Sequence, residues 1–262
     1  MKKLIFIFSI VIFSSEQGRT QSRDELLVTS KKFDNDVMDQ FRKTTTVFFY
    51  GNETGLALDS LKNAITSVWD ITPIIFDKFT KFDSYASKPE YSYFMIEGMN
   101  TFTKGKSISY NSTFYWLALR LFKDVSKKGK ISTTGLYRIE LSPNPATLNI
   151  GEAKSEDDVI YELYKKGVFY NWSPVQLKAQ VAACATSLKN NKRPSLFEEV
   201  NDDNLTATLA KDTLYVPKKM LLHYGAFTGK ETMNEVVNPF TAYKYKYRLC
   251  SDAELFTKTD FC

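Results

Sequence analysis

The sequence predicts an α/β or α+β fold: a mixed β-sheet with helices packed on it, opening on a βαβ unit. Three observations carry this. Residues 44–51, "TTTVFFYG", form a β-branched and aromatic run closed by glycine, which is a strand signal. The stretch "LALDSLKNAITSVW" then places Leu58, Leu61, Ile65, Val68 and Trp69 at helical spacing, and Thr72-Pro73 ends the helix. Finally "PIIFDKFTKF" returns to a strand pattern, so the natural packing is a right-handed crossover between parallel strands.

Residues 1–20 read as a signal peptide. "MKK" supplies a positive start, and "LIFIFSIVIF" (Leu4 to Phe13) is the apolar core. A membrane span needs about 20 apolar residues, so this core is short for one. The best small-x-small match for cleavage runs from Gly18 to Thr20; the other reading is an uncleaved anchor. No cysteine follows the apolar core, which argues against a lipoprotein anchor. No later segment is apolar for long enough to cross a bilayer, so no stable span is expected once the leader is removed. Lys2, Lys3 and Arg19 against Glu16 give the leader +2, which leaves +3 of the chain's +5 for the remainder. That charge is too mild to argue for nucleic acid. Residues 21–43 are charged, with Phe33, Val37 and Phe41 at four-residue intervals, and read as a linker or a loosely held N-terminal helix. Residues 44–262 read as a single α/β domain.

The middle of the chain is rich in strands. "YSYFMIEGM" (Tyr91 to Met99) and "STFYWLALRLF" (Ser112 to Phe122) are apolar on both faces, as central strands covered on both sides are. The second also suits a helix by its Leu and Ala content; strand is the preferred reading. "GLYRIEL" (Gly135 to Leu141) follows an exposed turn around Gly129. Ser155 with Asp158 resembles a capping box ahead of a stripe of Val159, Ile160, Leu163, Tyr164 and Val168, with Gly167 near its end. "SPVQ" (Ser173 to Gln176) specifies a helix start: Ser at N-cap, Pro at the first helical position, Gln at N3. Leu177, Val181, Cys184 and Leu188 mark its buried face, and Asn190 or Asn191 can supply a left-handed cap.

"KDTLYVP" is a strand that ends, or lies at an edge, because of Pro217. "YGAFTGKETMNEVVNP" reads as loop. "TAYKYKYRLCSDAEL" (residues 241–255) alternates Tyr243, Tyr245 and Tyr247 with Lys244, Lys246 and Arg248. A period of two puts the tyrosines on one face of a strand and the cations on the other. The expectation is tyrosines inward, cations outward, and a helix beginning at a capping box of Ser251 and Glu254.

Motif chemistry is sparse. His223 is the single histidine, which removes most two-histidine metal sites, and no metal or cofactor is expected. No G-x-S-x-G elbow presents a serine. "GNETG" resembles a phosphate loop, but Gly51 and Gly55 are too close and Leu56 follows where Lys is needed. Three cysteines are an odd count for a disulfide scaffold; Cys184 reads as buried, while Cys250 and Cys262 either pair or remain thiols. Acidic residues are scattered, and a carboxylate pair for hydrolysis is set by the fold and not by spacing. The sequons at Asn52, Asn111, Asn171 and Asn204 matter only in a eukaryotic secretory context.

The leader, "KDTLYVPKKMLL" and the Tyr/Lys strand before "SDAEL" resemble exported proteins of Bacteroidota, mainly over residues 40–80 and 205–258. The resemblance implies an envelope or secreted location in a Gram-negative cell, and no activity. The functional expectation is therefore a non-catalytic exported protein, periplasmic or secreted, that binds an envelope protein or polysaccharide. Lys244, Lys246 and Arg248 are the candidate surface-binding residues. The alternative is a hydrolase with a fold-assembled carboxylate site.

Overall fold

Helix α1 (Asn35–Arg42) starts on Asp34, whose carboxylate accepts from the Asp36 amide at 3.2 Å. Phe33 just before that cap and Met38 in the first turn are both buried, the two positions of a hydrophobic staple. Phe41 is fully buried as well. The helix reading of 21–43 is thus realised over 35–42, and it sits in the core rather than being loosely held. The charged residues of 34–43 lie on its exposed side. The structure, a computed structural model, describes residues 32–52, 55–104, 109–127, 129, 131–144, 147, 159, 162–164, 168–193, 207, 209–225, 230–233, 240, 243–251 and 254.

These residues divide into two compact units, one within Met1–Trp172 and Gln176–Leu196, the other within Ser173–Val175 and Phe197–Cys262, where the sequence pattern suggests a single domain. The first unit holds a five-stranded sheet whose strands, in spatial order, are β2 (Ile74–Lys78), β1 (Thr45–Tyr50), β3 (Tyr91–Lys104), β4 (Ser109–Val125) and β5 (Ile131–Leu141). Strand β1 (Thr45–Tyr50), helix α2 (Gly55–Thr66) and strand β2 (Ile74–Lys78) make the expected βαβ unit, with β1 and β2 parallel from Thr46↔Ile74 to Tyr50↔Lys78. Strand β3 (Tyr91–Lys104) pairs parallel to β1 on its other side. Strands β4 (Ser109–Val125) and β5 (Ile131–Leu141) continue as an antiparallel meander, so the sheet is mixed. "STFYWLALRLF" is strand, not helix. The turn before β5 has Gly129 at φ +77, a left-handed conformation that suits glycine.

Register sorts the side chains onto two faces. Phe48, Phe76, Phe94, Leu119 and Tyr137 share one face. That face is covered by helices. Trp69, after α2, meets Phe94 edge-on at 5.2 Å and Phe41 of α1 at 6.3 Å. Helix α3 (Pro174–Lys189) buries Leu177, Val181, Cys184 and Leu188, as its spacing predicts. It begins directly after Ser173 and ends on Asn191, whose φ of 49° is the left-handed cap. The Asn191 side chain then accepts from the Phe33 amide at 3.1 Å, joining the end of α3 to the start of α1.

The opposite face carries Phe49 and Tyr93, covered by a 3-10 turn at Phe79–Ser84. Here "PIIFDKFTKF" departs from the expected strand, which stops at Lys78. Asp77 accepts from the Lys78 amide at 2.8 Å and turns the chain. Residues three apart eclipse in a 3-10 turn, so Phe79 and Phe82 stack on each other at 5.6 Å and both pack on Phe49.

A chain of hydroxyls runs through the start of the sheet. Thr44 Oγ1 donates to Phe41 O at 2.8 Å. Each hydroxyl has one hydrogen, so every other bond in the chain has a fixed direction. Ser92 donates to Thr44 (2.8 Å), Thr46 to Ser92 (2.9 Å) and Thr72 to Thr46 (2.6 Å), and Trp69 Nε1–H closes the chain on Thr72 (3.1 Å). All four hydroxyl residues are buried. The chain ties α1, β1, β3 and the entry to β2 together, and no member lacks a partner.

The second unit holds two small sheets. Strand β6 (Leu214–Pro217) pairs parallel with β9 (Tyr247–Cys250), and Pro217 is its last residue as expected. Strands β7 (Leu222–Gly225) and β8 (Lys230–Met233) form a hairpin where the sequence reads as loop. That hairpin pairs through backbone and has no apolar alternation to announce it. The expected capping box at Ser155 and Asp158, Gly167 and the leader lie outside the described residues. Among the described residues no helix is long and apolar enough to cross a membrane.

Candidate functional site

Three places can carry function: the Tyr/cation strip, the carboxyl ends of the parallel strands, and the buried carboxylate. In the strip, exposure alternates as the period of two requires. Lys244, Lys246 and Arg248 are exposed; Tyr243, Tyr245 and Tyr247 are half-buried. Ring contacts hold the tyrosines: Tyr243 meets Tyr245 at 5.6 Å and Tyr247 at 6.3 Å, and Phe240 meets Tyr247 at 5.6 Å. The strand itself is shorter than the expected 243–248. It begins at Tyr247, and just upstream the Leu214 amide of β6 donates to Lys246 O at 3.0 Å. Residues 243–246 keep the alternation without a ladder.

The three cations are not equivalent. Lys244 Nζ lies 5.4 Å over the Tyr245 ring. Arg248 Nη2 pairs with Glu254 at 3.3 Å. That carboxylate completes the expected capping box: it accepts from the Ser251 amide at 2.7 Å, and Ser251 Oγ accepts from the Glu254 amide at 3.2 Å. The Ser251 bonds, with help from Arg248 and Lys218, hold the Glu254 carboxyl below the usual carboxylate range. A depressed carboxyl contributes stability that is present above its unfolded value and is lost as pH falls through the folded one. An NMR titration should therefore find Glu254 below an ordinary glutamate, and Ser251→Ala, which keeps the amide bond and removes the hydroxyl one, should move it part of the way back up. An unchanged titration in that variant would mean the hydroxyl does not help to hold the charge.

The second place is the crevice beyond β1 and β2. The chain leaves β1 toward the helix-covered face and leaves β2 toward the other, and open parallel sheets bind ligands outside the carboxyl ends of such a pair. Here Tyr164 fills the crevice. A Cβ on Gly51, just after β1, would come within 2.0 Å of the Tyr164 carbonyl oxygen. Phe79, just after β2, stacks on the Tyr164 ring at 4.8 Å. The Ile96 amide of β3 donates to Tyr164 Oη at 3.0 Å. So Gly51 of "GNETG" is small because the chain packs on it, while Gly55 at φ +55 opens α2.

The third place is Glu97, the one buried acid among the described residues. Arg120 Nε donates to its Oε1 at 2.8 Å, Arg120 Nη2 to Oε2 at 2.5 Å, and Trp116 Nε1 to Oε2 at 2.9 Å. These three donors take three of the roughly four lone-pair sites of the carboxylate, and with 1% of its side chain exposed Glu97 is turned to the protein interior rather than to a substrate. Sequence reasoning did not single out Glu97 or Arg120. The available signal was a lone acid in "MIEGM" and a lone arginine in "LALRLF", each inside an otherwise apolar strand.

The remaining candidates are placed as follows. His223 stands in β7, in register with Thr232. Asn171 is used structurally: its Oδ1 accepts from the Ser142 amide and its Nδ2 donates to Glu140 O, both at 2.8 Å, at the end of edge strand β5. Cys184 is buried, and burial pushes its thiol up. Cys250 is buried and lies 3.5 Å from Val216 O; its possible mate Cys262 and the sequon at Asn204 lie outside the described residues. Among the described residues no three of His, Cys, Asp and Glu converge to hold a metal ion. No family model matches the chain, nor does any curated protein or solved structure.

Proposed function

We propose that the chain is an exported, non-catalytic protein of a Gram-negative envelope, periplasmic or secreted, that holds an envelope partner by surface contact at 244–248. The observation that carries the proposal is the one-sided strip. Lys244, Lys246 and Arg248 stand exposed on one side, and the tyrosines behind them are fixed by ring contacts. A row of cations on a fixed backing meets an anionic surface at little ordering cost. Two further observations support surface contact over an enclosed site: Tyr164 occupies the crevice, and Glu97 is buried and held by three protein donors. Export rests on the apolar leader and on the resemblance to exported Bacteroidota proteins.

Lys244→Ala/Lys246→Ala should weaken retention on an acidic polysaccharide or anionic vesicles, and the wild-type retention should fall with salt, since exposed charges are screened over about 10 Å at 0.1 M. Stability should change by no more than about 0.5 kcal/mol, as for surface positions generally. Retention unaffected by the double change would remove this strip as the contact. Fractionation that leaves the full-length chain in the cytoplasm would end the export reading.

A further inference from the structure

Strands β3 and β4 pair without interruption from Ser92↔Leu121 to Lys104↔Ser109. Apolar alternation does not fix that register. Tyr93 and Met95 on one face and Phe94 and Ile96 on the other are all buried, as are Trp116 and Ala118 against Tyr115, Leu117 and Leu119. A strand with one wet face resists slipping, because a one-residue slip moves its apolar set into water; strands buried on both faces lose that penalty.

The charges supply what the apolar pattern lacks. Glu97 lies opposite Trp116, and Arg120 opposite Tyr93, all on the face away from the helices. A one-residue slip of β4 turns Trp116 and Arg120 to the other face, away from Glu97. A two-residue slip keeps the faces but carries Trp116 about 6.8 Å along the strand, and in one direction takes Arg120 farther from Glu97 as well. Every such slip costs buried Glu97 at least one of its donors. Strand β5 is tied in on the same face. The Arg138 guanidinium lies 3.9 Å over the Trp116 ring and pairs with Glu140. Gly135 lies opposite Arg120, and a Cβ there would stand 2.8 Å from Arg120 Nη1. Leu119 faces Tyr137 while Arg120 faces Gly135, so Leu136 is the extra residue of a bulge placed at the arginine.

We propose that Glu97, with Trp116 and Arg120, sets the register of the β3–β4–β5 meander, so that the buried pair acts on specificity rather than on stability. Well-packed apolar replacement of a buried pair is often neutral or stabilising, which separates the two roles. The test is Glu97→Met/Arg120→Met, which removes both charges at similar volume. The expected result is a urea midpoint equal to or above wild type, together with more than one set of amide NMR signals for β3 to β5. A single set with the wild-type cross-strand contact of Phe94 with Leu119 overturns the proposal. If the double variant does not fold, Trp116→Phe decides. It keeps a ring under Arg138 and removes one donor from Glu97. A second, minor set of β3–β4 amide signals supports the lock, and a single wild-type set overturns it.

Discussion

Arg120→Met is expected to lower the stability of the fold by about 3–5 kcal/mol, the range for removing one partner of a buried ion pair. The reason is what stays behind. Glu97 would keep the Trp116 bond and lose both guanidinium donors. Its carboxylate is buried, so water cannot replace them. Arg120→Lys should recover only part of the loss, since an ammonium cannot reproduce the two-point contact and reaches less far across the strand. Adding Glu97→Met to Arg120→Met should recover all of it, because no charge is then stranded. Urea titrations of the two single variants and the double variant measure this as an interaction energy. A loss below about 1 kcal/mol for Arg120→Met alone would place Glu97 among ordinary surface carboxylates, whose pairs are worth about that or less.

This pair also marks how far the sequence could be read. The βαβ unit was legible because each part carries its own local signal. A β-branched run gives β1, apolar residues at helical spacing give α2, and Thr-Pro stops it. Helix α3 was legible from "SPVQ" alone, since a cap, a proline and a glutamine at N3 act within one turn. Strands β3 and β4 were legible as strands, but their doubly apolar pattern hid which residues face each other. Glu97 and Arg120 lie 23 positions apart, and only the register brings them together. The end of β2 was missed for a related reason. "FDKF" reads as strand by composition, and the turn follows from Asp77 bonding its own neighbour and from Phe79 and Phe82 packing on Phe49.

The strip at 243–248 shows the reverse case. The alternation of exposure was legible, and the ladder was not. Burial follows side-chain polarity, which the letters carry, whereas hydrogen bonding needs a partner strand, and β6 begins only at Leu214. The crevice stopper was hidden because Tyr164 is far in sequence from Gly51, Phe79 and Ile96. Nothing local distinguishes a tyrosine on a helical stripe from one that plugs the end of a sheet.

Thr46→Val is expected to cost roughly 2–4 kcal/mol, although valine has nearly the shape of threonine, because each buried polar group left unpaired costs about 1–3 kcal/mol. Thr46 is the middle link of the hydroxyl chain. It receives the Thr72 hydrogen and gives its own to Ser92. Removing its hydroxyl leaves the Thr72 donor without an acceptor and the Ser92 oxygen without a donor. Thr72 keeps the hydrogen it accepts from Trp69 and Ser92 keeps its bond to Thr44, so the loss falls on the Thr72 hydrogen and on one Ser92 lone pair. The directions are fixed by the first bond, from Thr44 to Phe41 O, so the defect cannot be healed by reversing the chain. Thr46→Ser keeps the hydroxyl and loses one buried methyl, a change of about 0.8 kcal/mol. The two variants therefore rank opposite to their volume change: valine, the near-isostere, should be the more damaging. Urea midpoints of the two decide it. If valine is tolerated as well as serine, the hydroxyls of β1 and β3 contribute nothing as a chain, and the start of the sheet is held by Phe41, Trp69 and Phe94 alone.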